Sequence, residues 1–150
     1  MVSSLLTRIF GNKHDRDKKK LWPVVDEINR YFESYRDLKV WQQGMSLAKA
    51  CYLLTRAFPK DELFGMTSQI RRAAASIPAT IAEGNGRENT REYIQFLRIA
   101  QGSLQELETH LLLSQAVALV ASPAAQPLLA QADEVGRMLR ALIRTLQAKI

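Results

Sequence analysis

The small and apolar residues Tyr93, Leu97, Ala100, Leu104, Leu107, Leu111, Ser114 and Ala118 follow one another at alternating steps of four and three. No other feature constrains this chain as strongly. Such a rhythm returns side chains to one side of an α-helix turn after turn, whereas a strand needs a step of two. Sustained over more than three heptads, it calls for a long helix with one seam buried against its neighbours. Leu128, Ala132, Val135, Leu139, Leu142 and Leu146 resume the spacing after "ASPAAQP", Ala121 to Pro127, whose two prolines interrupt it. A corner this short makes the two helices antiparallel neighbours.

Two earlier helices complete the set. In the first, Trp41, Met45, Ala48, Cys51 or Tyr52, and Thr55 share a face, and Phe58-Pro59 ends it because the residue before a proline is pushed out of the α region. Gly44, unfavourable inside a helix, marks a close approach to another element. After the corner "KDELFGMTSQ", Thr67 or a neighbour caps a second helix whose face runs through Met66, Ile70, Ala73 or Ala74, Ile77 and Ile81. Pro78 lies within it and predicts a kink near Ala74 to Ile77. Gly84 or Gly86 stops the helix in the left-handed conformation. Asn89 then caps the next helix, with Glu92 reaching back. No strand pattern or long internal repeat competes. The fold class is all-α, an antiparallel four-helix bundle over residues 37–150 with an additional N-terminal helical segment.

That segment, residues 1–36, has a different character. Leu5, Leu6, Ile9 and Phe10 make a short amphipathic turn. "GNKHDRDKKK" is a charge-dense linker, and Trp22, Val25, Ile28, Tyr31 or Phe32, and Tyr35 recur at helical spacing behind it.

Composition narrows the function. At 150 residues the chain suits one domain with a real core. The single cysteine, Cys51, excludes an intrachain disulfide, suits small buried packing, and points to the cytoplasm. No apolar run approaches the roughly 20 residues that span a bilayer, so no membrane partner is expected. "SIPATIAEGNGRENT", Ser76 to Thr90, resembles a phosphate-cradling loop only superficially. It lacks the Lys-Ser/Thr pair, the third glycine and the preceding strand that nucleotide loops require. With two histidines, His14 and His110, a histidine/cysteine metal site is not supported. Glu106 and His110 lie four apart, but no Glu-x-x-His motif accompanies them, and a solvent-facing pair explains them. The expectation is therefore a protein that is not an enzyme and has no cofactor or metal.

The net charge of +6 permits an anionic partner. Arg71 and Arg72 precede the proline, and Arg87, Arg91 and Arg98 lie in and after the glycine corner. Arg137, Arg140 and Arg144 form one stripe on the last helix. One reading is a solvated face that also complements a helix C-terminus. The other is a nucleic-acid-binding strip pairing with backbone phosphates.

The segments "DLKVWQQGMSLAKACYLLTRAFP", "GMTSQIRRAAASIPATIAEGNGR" and "EYIQFLRIAQGSLQELETHL" together resemble the four-helix-bundle family of 23S ribosomal RNA intervening-sequence proteins. Accessory variability proteins of diversity-generating retroelements are relatives of that family. The resemblance falls on Trp41, on Gln69, Arg71, Arg72 and Ala73, on Ser76, Ile77 and Pro78, on Ile81 to Gly84, on Gly86 and Arg87, and on Gly102, Ser103, Glu106 and Glu108. Gly44 and Thr80 depart from it, standing where alanine and asparagine are usual. It implies a homo-oligomer, commonly a ring-like homopentamer, without known catalytic activity, whose partner is RNA or a reverse transcriptase. Two functions follow as expectations: an oligomeric bundle binding RNA or a nucleic-acid-handling protein through basic strips, or a protein-interaction adaptor that uses residues 1–36 and touches no nucleic acid.

Overall fold

The computed structural model describes residues 35–150. The expectations for Leu5 to Phe10, for the charged linker with His14, and for Trp22 to Phe32 lie outside the described residues. A short 3-10 turn, Tyr35–Asp37, leads into α1 (Lys39–Leu54). Helices α2 (Met66–Asn85), α3 (Thr90–Ala116) and α4 (Ser122–Gln147) follow, with two further 3-10 turns in the α1–α2 corner, and no strand occurs among the described residues. Each helix packs on two others, α1 on α2 and α4, and α3 on α2 and α4.

Cross-helix contacts fix the directions. Gly44 faces Ile77 and Pro78, while Thr55, just past the end of α1, meets Arg71, earlier in α2. Gly84 faces Tyr93 and Phe96, Ser76 bonds Ser103, and Arg72 pairs with Glu106. In α4, Gly136 lies against Leu104 of α3, and Arg140 and Arg144 share a cleft with Gln101. Numbers rise in one helix as they fall in its neighbour, so the bundle runs up-down-up-down.

The core follows the heptads of α3 closely. Leu97, Ala100, Leu104, Leu107, Leu111 and Ser114 are buried, and the Ser114 hydroxyl is satisfied by donating to the His110 carbonyl at 2.8 Å. The two ends of the pattern differ. Ile94 is buried where Tyr93 is half-buried, and Ala118 lies beyond the helix, exposed. In α4 the buried stripe is Leu128, Ala132, Val135, Leu139 and Ile143, with Leu142 and Leu146 only partly covered. This helix begins at Ser122, six residues before the periodic pattern, because Pro123 occupies its first turn, where no ladder bond is lost.

In α1 the expected face is kept at Ala48, Cys51 and Thr55, but its first two positions shift by one residue. Val40, Gly44, Leu47, Ala48 and Cys51 point inward, while Met45 and Tyr52 are exposed and Trp41 is half-buried against the Tyr35 ring, 5.3 Å between centroids. Gly44 faces Ile77 and Pro78, both buried on α2, at ordinary van der Waals spacing. Helix α2 continues through Pro78, and the Thr80 hydroxyl donates to the Ser76 carbonyl at 2.8 Å.

Three turn details differ from the sequence reading. Thr67 is buried inside α2, and the helix start is instead capped by Glu62, whose Oε2 accepts from the Met66 N–H at 2.8 Å. Gly86 ends α2 in right-handed geometry, φ −77°, with its N–H on the Ala82 carbonyl. Gly84 is required for a different reason. A Cβ there would sit 2.6 Å from Phe96 Cβ and 2.9 Å from Tyr93 Cδ2, so only glycine allows α2 and α3 to approach this closely. The Asn89 cap forms, its Oδ1 accepting from the Arg91 N–H at 2.8 Å.

Candidate nucleic-acid interface

The eight arginines singled out by the sequence divide by what they touch. Arg71 is half-buried. Its Nε donates to Thr55 Oγ1 at 2.8 Å, and its guanidinium lies 5.0 Å from the centre of the Tyr52 ring. Arg72 pairs with Glu106 across the α2–α3 interface and donates to Gln69 Oε1 at 3.0 Å. Arg87 pairs with Glu83 at 2.7 Å and stacks over Phe96 at 4.6 Å. Arg137 pairs with Asp133 one turn earlier in α4. These four are held by internal partners.

Arg91, Arg98, Arg140 and Arg144 make no ion pair among the described residues, and all four are exposed. The antiparallel packing brings Arg140 and Arg144 beside α3. Arg91 and Arg98 lie seven apart on one line of α3, and Gln101 continues that line. Gln101 lines an open cleft of about 350 Å³ with Arg140, Ile143 and Arg144 of α4. Arg140 and Arg144 therefore occupy the α3–α4 seam beside Gln101, while Arg91 and Arg98 stand earlier on α3. Cations near a helix C-terminus are electrostatically favoured, which supports Arg144 in the last turn of α4.

The seam changes sign along its length. Glu108 sits further toward the other end. Burial, together with the charge of Asp133, raises its carboxyl above the usual carboxylate range, and Arg140 opposes the shift. Arg140 thus stands between the acidic and basic stretches. Its guanidinium folds over Gly136, where Nη1 would be 3.3 Å from an added Cβ.

Gln101 is the residue that sequence reading missed. Its signal was its place three residues after Arg98, but an uncharged residue stands out only once α4 is seen beside it.

Glu106 and His110 are not the solvent-facing pair expected. Glu106 is tied to Arg72, and both ring nitrogens of His110 are buried without a hydrogen bond, Nε2 lying 3.6 Å from Glu106 Oε1. Cys51 is fully buried, and its thiol is pushed up to about 12 by burial, which leaves it unreactive at neutral pH. Among the described residues no group of three or more histidine, cysteine, aspartate and glutamate side chains is placed to hold a metal. None of the described helices is long and apolar enough to cross a membrane.

Comparison with known proteins places this geometry in context. The family model described as 23S rRNA-intervening sequence protein matches residues 36–141. A solved structure from Bacteroides thetaiotaomicron, a protein with unknown function from the S23 ribosomal protein family, superposes with a TM-score of 0.63. It is 22% identical, covering 69% of this chain and 97% of its own. Short stretches also match the protein translocase subunit SecA. The identity is 67% over 33 residues in Chloroherpeton thalassium and 59% over 29 residues in Bdellovibrio bacteriovorus. The chain spans only 3% of the length of these curated relatives.

Proposed function

Because the chain belongs to the 23S rRNA-intervening sequence protein family, we propose that it is a non-enzymatic, cytoplasmic bundle that binds RNA through the α3–α4 seam. The observation that carries this reading is Arg140 and Arg144 beside Gln101 in the α3–α4 cleft, with Arg91 and Arg98 earlier on the same helix as Gln101, none of the four in an ion pair among the described residues. A guanidinium already held by a carboxylate must give up that partner to meet a phosphate. An unpaired one meets it at no such cost. Assembly as a homo-oligomer, a pentamer on the family resemblance, multiplies the charge presented to one RNA and raises its effective concentration.

Neutralising phosphates releases counterions, so affinity falls with salt at a slope of about −0.7 to −0.9 per phosphate contacted. Titration of labelled RNA between low and physiological salt tests the reading. Steep dependence is expected, and each of Arg91→Ala, Arg98→Ala and Arg144→Ala should reduce the slope by about one contact's worth. Affinity that stays flat across that range overturns the reading.

The short likeness to a protein translocase subunit favours a second reading, in which the chain is a protein-interaction adaptor, with residues 1–36, outside the family match, as the segment to test. Deleting residues 1–36 then abolishes capture of the protein partner while the bundle keeps its helicity. A partner still captured after the deletion rules it out.

A further inference from the structure

We propose that the cleft between α3 and α4 receives one unpaired nucleotide of the bound RNA, so that the protein selects looped or single-stranded RNA over duplex. The inference rests on the α3–α4 seam being the RNA-binding surface.

Four features of the cleft point this way. Its volume of about 350 Å³ lies at the small end of ligand sites, which run from about 300 to 1,000 Å³, and suits one nucleotide rather than a helix. Its lining is mixed: Ile143 is buried and apolar, Gln101 is half-buried, and Arg140 and Arg144 stand exposed. A phosphate-only surface needs no apolar floor and no amide. A nucleobase uses both, its face on Ile143 and a guanidinium plane, and its edge on the Gln101 amide, which both donates and accepts. The guanidinium of Arg140 also lies over Gly136, on one wall of the cleft. Finally, Arg91 and Arg98 continue the line away from Gln101 along α3, where they meet the phosphates flanking the inserted nucleotide.

A base in a duplex is stacked on both faces, with its pairing edge occupied, and it enters such a cleft only after unpairing. The discrimination therefore comes from strand state, while the phosphate contacts contribute equally to both.

The full chain is titrated against three fluorescein-labelled RNAs of equal length at one salt concentration: a perfect duplex, an unstructured single strand, and a stem with an unpaired loop. The single strand and the loop should bind at least about tenfold tighter than the duplex. Gln101→Ala should remove most of that margin and leave the salt slope unchanged. Arg144→Ala should reduce both. Circular dichroism establishes that each variant keeps its helices. Duplex binding as tight as the loop overturns the nucleotide cleft while leaving the seam in place, and so does a margin that survives Gln101→Ala. If none of the three RNAs binds, the seam reading and this inference fall together.

Discussion

Arg71 reaches from α2 to the end of α1 and donates from Nε to Thr55 Oγ1 at 2.8 Å, while the Thr55 hydroxyl donates to the Cys51 carbonyl at 2.9 Å. The guanidinium covers Tyr52 at the same time. This relay ties the end of α1 to the second helix at the point where α1 gives way to a 3-10 turn. An arginine that looks like a phosphate contact in the sequence is thereby a structural tie.

Arg71→Ala should consequently lower stability by about 1–2 kcal/mol through the lost charged hydrogen bond and the lost cover over Tyr52. The salt slope for RNA should stay as in the wild type. Denaturant unfolding beside an RNA titration reads both quantities. A reduced slope with unchanged stability would reverse the assignment of Arg71.

Three helical glycines should respond to alanine with different signs. At Gly102 an added Cβ meets nothing within 4 Å, and at Gly44 it meets Ile77 Cγ2 at an ordinary 3.5 Å. Both substitutions should stabilise by about 0.5–1 kcal/mol, the usual gain over glycine inside a helix. Gly84→Ala should destabilise by about 1–3 kcal/mol, because the Cβ of Phe96, 2.6 Å away, cannot swing aside as a flexible side-chain tip would. Thermal melts of the three variants provide the comparison.

Ala118 carries a positive φ of 60° and ends α3 with Leu119 N–H on the Ser114 carbonyl at 2.9 Å and Ala118 N–H on the Gln115 carbonyl at 3.1 Å. This is a Schellman closure with alanine at the position that glycine normally takes. The left-handed conformation costs an L-residue about 1–2 kcal/mol, so Ala118→Gly should stabilise by about 1 kcal/mol. A shift of the denaturation midpoint to higher urea without a change of slope would confirm it. A lower midpoint would mean that the alanine methyl contributes more than the backbone strain costs.

Glu108 provides a pH signature. Its folded-state carboxyl is raised, first by burial and then by Asp133. The protonated form is thus favoured in the native protein. Its contribution is fully present below the unfolded value, near 4.5, and is lost as pH rises through the folded value. Glu108→Gln should therefore melt higher than the wild type at pH 7 and close to it at pH 3.5. The two melting curves keeping the same separation at both pH values would show that Glu108 does not titrate differently on folding.

The long seam of α3 was legible because a heptad repeat encodes burial directly in spacing, and Leu97 through Ser114 are buried where the pattern put them. The first helix was less legible. Trp41 and Met45 dominate its hydrophobic pattern, yet the contact with Pro78 is made by Gly44, which leaves no hydrophobic trace. The arginine stripes were visible as positions along each helix. Their partners were not, since Thr55 for Arg71 and Glu106 for Arg72 come from other helices. Many of the motif residues that carry the family resemblance serve the α2–α3 clasp, through Ser76 with Ser103, Arg72 with Glu106, and Gly84 beneath Phe96. A motif can therefore identify the fold without marking the binding surface.

The contact at Gly84 reaches beyond local packing. Tyr93 and Phe96 sit against it on one side of α3, while Arg91 and Arg98 stand on the same rigid helix. Successive residues are separated by about 100° around the helix axis, so whatever fixes the rotational phase of α3 also fixes the direction in which those two guanidinium groups project. A missing side chain on α2 thus acts as a sighting notch for cations on the far side of the rod. Enlarging it would misaim them before any RNA is present.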